Sequence, residues 1–332
     1  MDIREFASRL GLSTTTISHA LSGHRYVKPA TRQLILERMR EWGYTPNINA
    51  QRMIQTSTNL IAFFSEVSDM LTDPYQLELL RTFCRCLRPR DYDLILDLYH
   101  DGEEERFSSL HRRVLSHAID GSIIIGANLD DALLQSLSAS HSPCVYIDSH
   151  AGSAVLPHVC RLLVNSHDAY REAFTALRQL GRTSILYLGR KEDDYVMQDA
   201  LRLMEELGLD LYGGRCLYSE ENGLSAANAA LMPLLSPTPP RVIMTRTHAQ
   251  AKGVYEKAMQ LGFSVPKDLS IISHGDERFS GMGEPSLATV SFDWQSLAER
   301  SIDQLFFMRE HPETPQPNIT ISSHFVPMGT FV

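Results

Sequence analysis

At 332 residues, with 43% hydrophobic and 21% charged side chains, the chain has the size and composition of a soluble protein of two or three domains. No apolar run approaches the ~18 residues of a membrane span. The start MDIREFASRL carries acids unlike an export signal, and five scattered cysteines (Cys84, Cys86, Cys144, Cys160, Cys216) lie outside any zinc spacing, so a cytoplasmic protein with reduced thiols, no cofactor and no metal is expected. The net charge of −9 is uneven: eight basic and four acidic residues up to Thr56 give +4, which leaves −13 for the rest. A basic head on an acidic body suits a phosphate-binding module joined to something that does not touch nucleic acid.

Ile3, Phe6, Ala7 and Leu10 recur at i, i+3, i+4, i+7, which predicts a short amphipathic helix. Gly11 follows where a left-handed stop belongs. Beyond Leu12, Ser13 is placed to cap a second helix through Ile17, Ala20 and Leu21. This is helix-turn-helix spacing, with Ala7 small where the helices must close. A third helix starts near Lys28-Pro29, buries Ile35, Met39 and Trp42, and stops at Gly43. On these residues alone, a three-helix bundle with no DNA role stays open.

From Leu60 short apolar strands alternate with amphipathic helices. Strands are predicted at Leu60–Phe64, Leu94–Leu98, Ser122–Ile125, Cys144–Ile147, Ile185–Leu188, Val242–Met244 and Leu269–Ile272. Helices are predicted at Tyr75–Leu87, Ala169–Leu180, Tyr195–Leu207, Ala249–Leu261 and Leu297–Met308. Such alternation predicts an α/β body of parallel sheets, with enough units for two. An enzyme is disfavoured, because the chain lacks G-x-G-x-x-G after its first strand, a P-loop, G-x-S-x-G and H-E-x-x-H.

The segment IREFASRLGLSTTTISHALSGHRYVKPATRQLILERMREWGYTPNINAQRM resembles the head of the LacI/GalR family of transcriptional regulators, without gaps. The resemblance includes the tail Gly43-Tyr44-x-Pro46-Asn47-x-x-Ala50-x-x-Met53. It implies that the second helix enters the major groove of double-stranded DNA. Thr14, Thr15 and His19 would then face base edges, and Ser13, Thr16, Ser18, Ser22, Tyr26, Lys28 and Thr31 would hold phosphates. The family usually carries Arg at the place of His19, so the base preference need not follow its usual half-site. Asn47, Ala50 and Met53 fall in the family's hinge helix, which acts in the minor groove; Met53 stands where the family inserts a Leu wedge.

The body resembles its LacI/GalR counterpart more loosely, at Asp73-Pro74-Tyr75, Asp120-Gly121-Ser122-Ile123-Ile124-Ile125, Val145-Tyr146-Ile147-Asp148, Leu180-Gly181-Arg182, Gly262 to Ile271 and Pro285-x-Leu287-Ala288-Thr289-Val290. The implied fold is an all-α helix-turn-helix head on a periplasmic-binding-protein-like core of two doubly wound α/β subdomains. The implied domains are a head over 1–45, a hinge and linker over 46–57, and an effector-binding, dimerising core over 58–332. Within the core the chain would cross near 162, 291 and 320, giving subdomains of about 58–161 with 291–319 and about 162–290 with 320–332. The implied partners are a pseudo-palindromic operator, a second copy of the chain and an unknown small-molecule effector between the subdomains.

The cleft departs most from the family pattern. Thr247-His248 replaces an Asn-Asp pair, Val196 replaces an Arg, Asp199 replaces a Gly, and Gly275 replaces an Asp in Ser273-His274-Gly275-Asp276. The remaining candidates for an effector are Tyr75, Asp148, Arg190, Tyr218, His248, His274 and Asp276. Two alternatives stay open at this point: a dimeric regulator with a degenerate cleft and no effector, and a solute-binding protein, which the basic head argues against.

Overall fold

The computed structural model describes residues 1–22, 25–45, 57–66, 74–99, 107–125, 129, 131–148, 155–189, 195–220, 223–275, 280–281 and 284–331. Three helices form the head: α1 (Ile3–Leu10), α2 (Thr14–Ser22) and α3 (Pro29–Trp42). Four of these termini have a local cause in a side-chain cap or a glycine. Asp2 accepts the Glu5 amide at 2.8 Å, and Gly11 and Gly43 take positive φ of 65° and 62° to close α1 and α3. Ser13 caps α2 by accepting the Thr16 amide at 3.0 Å. Phe6, Ala7, Ile17, Ala20, Ile35 and Tyr44 make the head's core, where Phe6 stacks on Tyr44 at 4.3 Å and meets Trp42 edge-on at 5.6 Å.

The core begins with β1 (Leu60–Glu66), α4 (Pro74–Leu87), β2 (Asp93–Tyr99), α5 (Ser108–Leu115), β3 (Gly121–Ile125), α6 (Asp131–Ala139), β4 (Cys144–Asp148) and β5 (Val159–Asn165). It continues with α7 (His167–Gln179), β6 (Ser184–Gly189), α8 (Tyr195–Glu206), β7 (Asp210–Leu211), β8 (Leu217–Tyr218), α9 (Gly223–Leu234), β9 (Val242–Thr245), α10 (His248–Gln260) and β10 (Ser270–Gly275). The last elements are β11 (Ala288–Phe292), α11 (Trp294–Glu310) and β12 (Ile319–Val326).

Among the described residues the strands lie in the order β2-β1-β3-β4-β5-β12-β11-β10-β9-β6-β7, with β8 also on β6. Every pairing is parallel except β11 with β12. Strand β12 joins the two half-sheets: Ile319 to Ser322 run parallel to β5, and Ser323 to Val326 run antiparallel to β11. Both half-sheets are covered on both faces, which is why strands such as Gly-Ser-Ile-Ile-Ile are buried throughout. In the first half, Phe83 of α4 and Leu305 of α11 cover one face, while Val114 of α5 and Leu137 of α6 cover the other. In the second half, Phe174 of α7 and Leu203 of α8 face Ala230 of α9 and Val254 of α10 across the sheet. Two doubly wound α/β units result.

The chain moves between the half-sheets at three points: from β5 into α7, from β11 into α11, and within β12. Sequence patterning did not single out β5, β11 or β12 as strands. Arg161 interrupts β5, and in β12 the alternation of Ile319 and Ile321 with Thr320 and Ser322 breaks at Ser323, where the strand changes neighbours.

Candidate nucleic-acid interface and cleft

Helix α2 divides its residues by angle. At roughly 100° per residue, Thr14, Thr15, Ser18, His19 and Ser22 span an arc of about 140°, with Ile17 and Ala20 on the other side of the helix. Ile17 and Ala20 are buried in the head's core, whereas Thr15 is exposed and Thr14, Ser18 and His19 are half-buried. The face carrying Thr14, Thr15 and His19 is therefore free to meet an outside partner. Of the residues expected on phosphates, Ser13 and Thr16 already bond each other, with hydroxyls 2.8 Å apart at the start of α2. Tyr26, 85% exposed, stands clear of the core and is far more open than a structural tyrosine requires. Lys28 is exposed just ahead of α3, and Thr31 lies in that helix's first turn. The side chain of Ser22, and Asn47, Ala50 and Met53 entirely, lie outside the described residues.

Where the head's linker meets the core, one carboxylate collects the backbone. Asp120, just before β3, accepts the amide and hydroxyl of Thr58 (both 2.7 Å), the Asn59 amide (3.1 Å), the Tyr92 hydroxyl (2.8 Å) and the Ser57 hydroxyl. Arg309 approaches it at 3.7 Å and lies over the Tyr92 ring. Residues 57–59 are thus fixed to the end of the sheet where β1 and β3 begin. Sequence reasoning noted Asp120 as a signpost and missed this role.

At the carboxyl ends of β6, β8, β9 and β10 lies the polar group of the second half. Gln250, fully buried, accepts the amides of Arg246 and Thr247 (3.0 and 3.1 Å) and donates to the Ser219 hydroxyl at 2.9 Å. Together with the capping box that Thr247 makes with it, Gln250 sets the start of α10. His248 is held through both nitrogens, Nδ1 at 2.9 Å from Ser273 Oγ and Nε2 at 2.5 Å from Ser280 Oγ. His274 is 7% exposed; its Nδ1 faces Arg246 Nη1 at 3.0 Å and its Nε2 faces Ser166 Oγ at 3.1 Å. Burial first, then Arg246 and His248, hold its pKa well below the ordinary histidine value. Both histidines are therefore committed to protein partners. Arg246, which the sequence reading passed over, is the half-buried cation beside them.

Tyr218 is 38% exposed and lies along Gly189, where a Cβ would come within 3.4 Å of its ring. Val196 is buried in the hydrophobic core, so no polar group occupies the place of the family Arg. Asp199 instead pairs with His167 at 3.1 Å and Arg202 at 3.6 Å. Arg190, Asp276 and the side chains of Tyr75 and Asp148 lie outside the described residues. Among the described residues, no group of three His, Cys, Asp or Glu is placed to hold a metal ion, and no helix is long and apolar enough to cross a membrane.

A helix-turn-helix head followed by a two-unit α/β core is the architecture of a DNA-binding regulator. The comparisons agree. The profile described as bacterial regulatory proteins, lacI family, matches residues 2–47, and a periplasmic binding protein-like domain matches residues 174–331. Catabolite control protein A of Priestia megaterium is 26% identical over 297 residues, covering 87% of this chain and 86% of that relative. The ribose operon repressor of Escherichia coli (strain K12) is 23% identical over 99% of both chains. A crystal structure of the Lac repressor dimer bound to operator and the anti-inducer ONPF superposes with a TM-score of 0.85 at 18% identity, covering 99% of this chain and 98% of that one. The chain belongs to the LacI/GalR family and is a DNA-binding transcriptional regulator.

Proposed function

We propose that the chain acts in the cytoplasm as a homodimer, not as an enzyme, and that its two heads grip a pseudo-palindromic operator under the control of a small molecule bound between the two α/β units. The observation that carries this reading is the free face of α2 on a head of charge +4. Thr14, Thr15 and His19 read base edges there. Ser13, Thr16, Ser18, Ser22, Tyr26, Lys28 and Thr31 hold the backbone, and Asn47, Ala50 and Met53 enter the minor groove. The head covers 1–45 and the linker 46–57. The core's subdomains divide where strand pairing changes hands, after Asn165, after Phe292 and between Ser322 and Ser323. Selection from random duplex DNA, followed by titration over a salt series, tests the proposal. A two-fold symmetric site and a steep linear fall of log affinity with log salt are expected. Binding as a monomer, or without salt dependence, would overturn it.

The effector chemistry follows from what the cleft retains. With Val196 and Gly275 in place of the family's Arg and Asp, a hydroxyl-rich neutral sugar lacks charged partners, and each buried polar group left unpaired costs about 1–3 kcal/mol. Arg246 and Tyr218 suit an acidic or planar ligand better, and Tyr75, Asp148, Arg190, His248, His274 and Asp276 are the further contacts proposed from the sequence. Thermal-shift titration with neutral mono- and disaccharides at millimolar concentration should give no stabilisation, and micromolar binding of one would refute this assignment.

A further inference from the structure

Arginine donates and never accepts, so the 3.0 Å approach of Arg246 Nη1 requires an unprotonated Nδ1 on His274. The neutral ring then carries its proton on Nε2 and donates it to Ser166 Oγ at 3.1 Å. Ser166 in turn lies 3.3 Å from Ser323 Oγ, a bond that either hydroxyl can donate. The arginine at one end thus sets the direction of the first two bonds. Arg246 lies just beyond β9. Ser166 is the residue between β5 and α7, at the first chain crossing, and Ser323 is the point where β12 changes partner, at the third. The second crossing is reached by ring contact: Phe292, the last residue of β11, lies 5.8 Å from the His274 ring and 4.3 Å from Trp294 at the start of α11. Tyr170 of α7 stacks on the His274 ring at 6.3 Å.

We propose that His274 is a positioning residue that fastens the cleft cation Arg246 to all three crossings between the half-cores, so that a change at Arg246 is felt where the chain bends. Burial keeps the ring neutral, and only the neutral ring can accept from Arg246 while donating to Ser166. A protonated or apolar replacement breaks the chain at its centre. The inference rests on reading the two half-cores as units that shift relative to each other, a condition that the same experiment checks separately.

Full-length protein, with no ligand added, is compared by hydrogen exchange and small-angle scattering in four forms: wild type, His274→Phe, Ser166→Ala and the double variant. The Phe ring keeps the aromatic contacts and removes both nitrogens; Ser166→Ala guards against a misfolded His274 variant. Loss of one such bond should raise exchange about fivefold in peptides spanning 163–168, 290–295 and 321–325, with little change in β6 and β9. The double variant should add nothing beyond the larger single effect, since both cuts sever one chain. Exchange that rises uniformly, rises at only one crossing, or adds across the two substitutions would overturn the role of His274. Exchange that rises at all three crossings with unchanged scattering would leave the fastener standing and refute the shift of the half-cores.

Discussion

Replacing Asp120 with Asn is the sharpest test of how the head is tied to the core, because the change alters charge and donor count without altering shape. In the wild type, Oδ1 receives the Thr58 amide and hydroxyl, while Oδ2 receives the Asn59 amide, the Tyr92 hydroxyl and the Ser57 hydroxyl. An asparagine oriented with its oxygen toward Thr58 keeps those two bonds in weaker, uncharged form. Its NH2 can give to the hydroxyls of Tyr92 and Ser57, which rotate to accept, but it faces the Asn59 amide donor to donor. The Asn59 amide then loses its bond to a charged acceptor and keeps only the longer one to Ser57 Oγ at 3.3 Å, which costs about 1–3 kcal/mol, and the loss of charge from the other bonds adds about 1 kcal/mol. The sum is about 2–4 kcal/mol, or a fall of about 3–7 °C in the melting midpoint of a core this large. Differential scanning calorimetry gives the core's loss. Limited proteolysis should show faster cleavage next to residues 57–59, and operator affinity should fall while the salt slope stays the same, because no phosphate contact is removed. A variant that melts within 1 °C of wild type, with unchanged proteolysis, would show that Asp120 does not hold the linker.

Gly253→Ala should destabilise by about 2–3 kcal/mol in urea despite alanine's better helix propensity, because its Cβ would sit 1.9 Å from the Gly223 carbonyl oxygen and force α9 off α10; a neutral result would mean the helices separate freely. His19→Arg should change base preference at one symmetric pair of operator positions by about 1–3 kcal/mol, measured by parallel selection with both proteins, and an identical consensus would remove His19 from the readers. The depressed pKa of His274 sets a sign for acid stability. The unfolded chain takes up this proton near pH 6.5 and the folded chain only well below, so this contribution is complete above pH 6.5 and is lost as pH falls below it. Urea midpoints from pH 7 to 5 should therefore fall less steeply for His274→Phe, by up to about 1.4 kcal/mol per pH unit, than for wild type; parallel curves would contradict the buried neutral ring.

Local patterning made the head legible. Its helices, its two glycine stops and the Ser13 cap depend on contacts within one or two turns, and the Ile17–Ala20 stripe that seats α2 also dictates which residues face outward. The alternating α/β character of the core was equally visible, because buried parallel strands such as β3 and β9 are continuous apolar runs. Strand β12 escaped notice because Ser323, the buried position where it passes from one sheet to the other, is polar and interrupts the apolar–polar alternation.

Residue chemistry marked His248 and His274 as polar candidates, yet their partners became known only in three dimensions. His274 meets Ser166 across 108 residues and Ser166 meets Ser323 across 157, while Asp120 closes on residues 57–59 from about 60 residues away. Periodicity records what each residue's own backbone neighbourhood demands. The choice of which distant hydroxyl, amide or guanidinium completes a buried polar group depends on sheet order and register, which bring the ends of strands far apart in sequence to one place. The sequence alone therefore determined the class of protein and which face of α2 turns away from the head's core. The tertiary structure decided how the linker is anchored, and that the cleft histidines are bonded into the protein at the points where its two halves join.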